Sequence, residues 1–158
     1  MPLGENQSLS QEFIDILSVF IAEKIDFMVV GGYALGFHGY SRGTGDIDLW
    51  VRREKKNSER IIAALKSFGA PLFDVISDDF LVEGTIFQIG VPPARIDVIT
   101  DISGVDFEQA WPGRKFVSAE GLTIPIIEKE LLLLNKKATN RPKDFGDIVW
   151  LEKDDDLK

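Results

Sequence analysis

Apolar residues recur along the first part of the chain with the spacing of a helix. Phe13, Ile14, Ile16, Leu17, Phe20 and Ile21 fall on one stripe, so residues 8–21 are expected to be helical, with Ser8 and Gln11 as a capping box. The pattern then changes. Phe27-Met28-Val29-Val30 is continuously apolar and ends at Gly31-Gly32, as a strand buried on both faces would. A second helix is expected over 33–38, broken by Gly39, and residues 41–45 read as a glycine-rich loop. From Asp46 to Arg52 polar and apolar residues alternate, which is the period of a strand. Ile47, Leu49 and Val51 then face the core, while Asp46, Asp48 and Trp50 face the other way.

Residues 58–68 form an amphipathic helical pattern stopped by Gly69 and Pro71. Two more strands are expected over 85–90 and 95–100, joined through Val91-Pro92-Pro93-Ala94, which proline keeps from being helical. Residues 103–117 show no usable period. A short strand at 122–124 precedes a helix over 127–139, and a last helix opens near Pro142 and runs to about residue 152. With no repeat and no linker, the expectation is one α/β (α+β) domain over residues 1–158. Its core would lie at 26–151, a small mixed sheet flanked by helices, with an acidic tail at 153–158.

Composition narrows the function classes. The chain has 158 residues, 44% hydrophobic and 28% charged, enough for one real core and ordinary for a globular protein. It has no cysteine, which excludes disulfides and thiolate metal sites. No apolar run approaches the roughly 20 residues of a membrane span, and no secretory pattern is visible at residues 1–7. A cytoplasmic location and no membrane partner are expected. The net charge of −8 argues against broad nucleic-acid binding, which needs clustered cations. Two stretches run against that average: Arg52-Arg53-Glu54-Lys55-Lys56, and Lys136-Lys137 through Arg141 and Lys143.

The candidate chemistry begins at Asp46 and Asp48. Two residues apart on a strand, they share a face at a spacing of roughly 6.6 Å. Like charges that close raise one another's pKa unless a cation lies between them. A hard divalent ion such as Mg²⁺ resolves the conflict; a solvated strand edge is the alternative. Gly31-Gly32 ahead of a helix start lets backbone N–H groups approach an anion, or serves tight packing. A dinucleotide-binding turn is excluded, because Gly31-Gly32-Tyr33-Ala34-Leu35-Gly36 lacks the G-x-G-x-x-G spacing. A third carboxylate would be needed to bridge metals and activate a hydroxyl. Asp97 in Arg95-Ile96-Asp97-Val98-Ile99 is the candidate, since a charge interrupting an apolar strand needs a partner. That partner is a cation, or else Arg95 or Arg42 in an ion pair.

Gly31-Gly32-Tyr33-Ala34, His38-Gly39 and Arg42-Gly43-Thr44-Gly45-Asp46-Ile47-Asp48 together resemble the signature of the DNA polymerase beta-like nucleotidyltransferase superfamily. The R-x-T-x-D-x-D pattern is similar to its AbiEii/MenT-like bacterial branch. So is Leu134-Asn135-Lys136-Lys137-Ala138 followed by Arg141-Pro142-Lys143-Asp144-Phe145-Gly146-Asp147. The resemblance implies a nucleotidyltransferase that moves an NMP group from an NTP to a hydroxyl acceptor with Mg²⁺ or Mn²⁺. The acceptor would be a tRNA, a protein or a small molecule, and a toxin–antitoxin or abortive-infection setting with a partner protein is implied. Carried over by position, Asp46, Asp48 and Asp97 would be catalytic and ligate the metal. Gly31, Gly32, Arg42, Thr44, Lys136 or Lys137, Lys143 and Asp144 would bind or orient the nucleotide. The alternative is a non-catalytic nucleotide- or partner-binding protein on the same fold, such as an antitoxin. His38, Trp50 and the Arg52–Lys56 run are expected to serve packing or solvation.

Overall fold

The computed structural model describes residues 9–40 and 45–155. The Ser8 cap, loop positions 41–44 and residues 156–158 of the acidic tail lie outside them. The first helix, α1, spans Gln11–Ala22 and buries Phe13, Ile16, Leu17 and Phe20, an i, i+3, i+4, i+7 stripe. Its cap is Ser10, whose hydroxyl accepts from the Phe13 N–H at 3.3 Å, so the helix starts later than expected. Strand β1 is Phe27–Val30, with all four residues buried. Helix α2, Gly31–Phe37, follows with no intervening loop and begins two residues before the expected start. Strand β2, Asp46–Val51, keeps its predicted alternation as far as Leu49.

Helix α3, Lys55–Phe68, also begins early. Its first turn contains Asn57, a polar residue that sequence reading places in a connection. In the fold Asn57 is buried. Its amide accepts from the Asp26 N–H at 2.7 Å and donates to the Asp26 and Arg52 carbonyls, tying the helix to the ends of β1 and β2. Gly69, with φ 92°, closes the helix in the left-handed conformation that glycine permits. A short 3-10 turn at Ser77–Leu81 leads into β3, Ile86–Ile89, and β4, Arg95–Ile99.

The aperiodic stretch holds three elements: helix α4 at Phe107–Ala110, a 3-10 turn at Trp111–Gly113, and strand β5 at Lys115–Ala119. β5 forms a hairpin with β6, Leu122–Ile126, through Glu120 and Gly121, both at positive φ as a mirror-image turn requires. Helices α5, Lys129–Thr139, and α6, Phe145–Asp155, close the described chain, joined by a 3-10 turn at Pro142–Asp144.

The sheet order is β3-β4-β2-β1-β6-β5. β2 and β4 are parallel neighbours, as are β1 and β6; the other pairs are antiparallel. The mixed α/β architecture with a small sheet flanked by helices is therefore as expected. Among the described residues no helix is long and apolar enough to cross a membrane.

Candidate functional site

Strand register assembles the carboxylates. Parallel pairing sets Asp48 directly opposite Asp97, and Asp46 opposite Arg95. Alternation then puts Asp46, Asp48 and Asp97 on one face, where each offers an oxygen within 4.8 Å of the others'. The third carboxylate, separated by about fifty residues in sequence, is brought in by one strand pairing. Three converging carboxylates are a hard, anionic oxygen donor set, and that chemistry fits a divalent cation.

The chain offsets part of this charge with a cation of its own. Arg95 Nη2 donates to Asp46 Oδ2 at 2.9 Å and to Asp97 Oδ2 at 3.1 Å, while Nε donates to Asp97 Oδ1 at 3.1 Å. The anticipated Arg95–Asp97 ion pair therefore exists, inside the same cluster as the candidate metal ligands. Asp97 is only 6% exposed. Asp48 receives no such bond from Arg95. Burial, then the charges of Asp46 and Asp97, push its carboxyl from an ordinary 3.8 up to about 7, with Arg95 opposing. The Arg95 guanidinium is in turn held more firmly protonated by its hydrogen bond to Asp97.

Gly31 has a second reason to be glycine besides exposing backbone. Val30 pairs with Asp48, so Gly31 stands against the Asp48 carboxylate, and a Cβ there would collide with Oδ2. Its φ of 70° also favours glycine. Gly31 and Gly32 line a cleft of about 550 Å³ together with Asp46, Asp48, Asp97 and Arg95. One further wall carries Lys136, Arg141 and Lys143; another carries Ile86, Gln88 and Ile99 from β3 and β4.

The basic segment divides its roles. Lys136 is buried at 3% exposure, with Nζ 3.4 Å from Asp144 Oδ1 and 3.2 Å from Asp147 Oδ2. Lys137 points elsewhere, half-exposed and paired with Glu152 at 3.7 Å, and it does not line the cleft. Asp144 is fully buried and accepts from the Arg141 backbone N–H, Nε and Nη2. Burial raises its pKa, but the Arg141 bonds and the Lys136 charge outweigh that and hold it below the ordinary value. Asp144 thus fixes two cleft cations, Lys136 and Arg141. Arg42 and Thr44 lie outside the described residues.

Sequence reasoning left Arg141, Arg95 and Gln88 out of the site. Arg141 carries a signal in its basic neighbourhood, and Arg95 in its spacing from Asp97; Gln88 carries none. The remaining singled-out residues pack. His38 Nε2 lies 2.7 Å from the Ile127 carbonyl. Trp50 is buried edge-on against Phe107. Arg52 pairs with Asp26 and Glu108 and stacks on Phe107 and Trp111, so it serves as a staple at the far end of β2.

No protein-family model matches the chain, and no curated protein matches it. Solved structures do. The lincosamide antibiotic adenylyltransferase LnuA, in its lincomycin-bound form, superposes with a TM-score of 0.60 at 17% identity, over 93% of this chain and 98% of that one. TM1012 of Thermotoga maritima, a candidate nucleotidyltransferase, gives a TM-score of 0.58 at 14% identity, over 97% and 98%. The fold is that of nucleotidyltransferases. On this nucleotidyltransferase fold, the acidic triad sits on the central strands β2 and β4 and the cationic wall comes from the α5 end of the chain.

Proposed function

We propose that this chain is a metal-dependent nucleotidyltransferase, moving an NMP group from an NTP to a hydroxyl acceptor. The observation that carries the reading is the division of one cleft. Three carboxylates converge on its floor, Lys136, Arg141 and Lys143 stand on one side, and an uncharged wall stands on the other. Mg²⁺ or Mn²⁺ held by Asp46, Asp48 and Asp97 would supply charge neutralisation and Lewis acidity toward the phosphate oxygens. Lys136, Arg141 and Lys143 hold the triphosphate by charge-assisted hydrogen bonds, as does the backbone at Gly31 and Gly32. By the resemblance alone, Arg42 and Thr44 would also bind the nucleotide.

The acceptor takes the opposite wall. Gln88 is the register partner of Asp97, which makes Asp97 the carboxylate nearest β3. Asp97 accepts the acceptor's hydroxyl proton as its oxygen attacks the α-phosphorus; the bond to the β-bridging oxygen breaks and pyrophosphate leaves. Catalysis is mainly positioning and charge neutralisation. A wall without cations favours a compact acceptor or a protein side chain over a long polyanion. Within the superfamily we place the chain in the AbiEii/MenT-like branch, as a one-domain cytoplasmic enzyme acting in a toxin–antitoxin or abortive-infection setting. The resemblance of its Gly31–Asp48 and Lys136–Asp147 segments supports this placement.

The test is incubation with each α-labelled NTP and Mg²⁺ or Mn²⁺, offering tRNA, protein pools and lincomycin as acceptors. Label transfer is expected with one of them and is lost in Asp48→Asn. Transfer that survives this substitution would defeat the site assignment. Calorimetry showing no metal-dependent NTP binding would defeat the mechanism.

A further inference from the structure

We infer that Arg95 is an exchangeable counter-cation of the carboxylate site, which holds the metal's place and is displaced when the metal binds. The inference rests on the proposed metal site and concerns the residue that guards it. Three oxygens from two of the three candidate ligands, Asp46 Oδ2, Asp97 Oδ1 and Asp97 Oδ2, are engaged by Arg95 at 2.9 to 3.1 Å. Both oxygens of Asp97 are among them. A metal that approaches Asp97 from the cleft meets Arg95 on both oxygens, and its charge repels the guanidinium that shares these carboxylates.

Arg95 is built to leave. Its side chain is 31% exposed and lines the open cleft, so a displaced guanidinium swings into solvent rather than into core. The contrast with Lys136 is instructive. That cation also sits between two carboxylates, but its side chain is 4% exposed and its partners are buried, so it stays. Once released, Arg95 faces the same space as Lys136, Arg141 and Lys143. It then adds a fourth cation to the anionic ligand's side, so metal entry and triphosphate capture favour one another.

The experiment has two arms on the full chain without nucleotide. Mn²⁺ is titrated calorimetrically into the unsubstituted protein, Arg95→Gln, Arg95→Lys and Lys143→Gln. Removing the competitor in Arg95→Gln tightens Mn²⁺ binding by about tenfold, with Arg95→Lys in between. Lys143→Gln removes an equal charge from the same cleft and changes affinity by only about twofold. In the second arm, the Arg95 Nε–H resonance of ¹⁵N-arginine-labelled protein, assigned by its absence in Arg95→Lys, is followed as Mg²⁺ is added. It loses its protection from exchange as the site fills. A resonance that stays protected at saturating Mg²⁺ overturns the inference, as does Arg95→Gln binding Mn²⁺ no tighter than the unsubstituted protein. If neither the protein nor any variant binds metal, the metal site itself falls. If metal binds and Arg95 does not move, only this inference does.

Discussion

Asp48→Asn is expected to make the metal-free protein more stable while abolishing its metal binding. Asp48 is half-buried against two other carboxylates, and its pKa rises from 3.8 to about 7. The folded state therefore binds this proton more tightly than the unfolded chain does. The contribution of Asp48 to stability is largest below about pH 4, where both states are protonated, and is lost as pH rises through 7. At about 1.4 kcal/mol per pH unit, the full cost at pH 8 is about 4 kcal/mol. An asparagine is neutral throughout and donates to Asp97, but it gives up about 1 kcal/mol of native hydrogen bonding. The variant should exceed the parent by about 3 kcal/mol at pH 8 and by less than about 1 kcal/mol at pH 5.

Urea denaturation of chelator-treated protein at pH 8, 7, 6 and 5 measures this difference directly. Mg²⁺ at a thousand times its Kd then reverses the order, because it adds about 4.1 kcal/mol to the parent alone. A variant less stable than the parent at pH 8 refutes the reasoning. So does a difference that is the same at pH 8 and pH 5, since only titration of Asp48 makes it pH-dependent.

Metal and proton compete for Asp48, so affinity for Mn²⁺ should be greatest above pH 7 and fall up to about tenfold per unit below it; a titration series flat from pH 6 to 8 contradicts this. Gly31→Ala forces a Cβ onto the Asp48 carboxylate at φ 70°, costing about 1–3 kcal/mol in denaturation and weakening metal binding. Lys136→Met removes the cation that Asp144 and Asp147 share, leaving Asp144 its Arg141 bonds, and should destabilise by about 3 kcal/mol. Lys137→Met breaks only an exposed pair with Glu152 and should stay within about 0.5 kcal/mol, with nucleotide binding unchanged by calorimetry.

Where one element's own period decides its structure, the chain was legible. The stripe of α1, the all-apolar β1 and the alternation of β2 each state which face is buried. The start of α3 was misjudged because a polar residue's partners are distant in sequence. Asn57 looks like a connection residue until Asp26 and Arg52 are folded beside it. β5 was missed because it is an edge strand, half-exposed, whose hairpin turn uses Glu120 in the left-handed region where asparagine or aspartate is the usual signal.

The site was legible as far as local spacing reaches. Asp46 and Asp48 share a face by alternation alone, whereas Asp97 joins them only through the β2–β4 register. Between Lys136 and Lys137, helical phase could not choose; burial against Asp144 and Asp147 does. The deeper lesson concerns Arg95. From sequence, an ion pair for Asp97 and a metal ligand at Asp97 stand as rival explanations of one buried carboxylate. The proposed exchange would make them successive states of one charge balance. Arg95, two residues before Asp97 on the same strand face, is the cation the chain itself supplies to the cluster. Asp48, which Arg95 does not bond, is left to take up a proton instead. Under that proposal, ion pairing at such a site is no argument against metal binding.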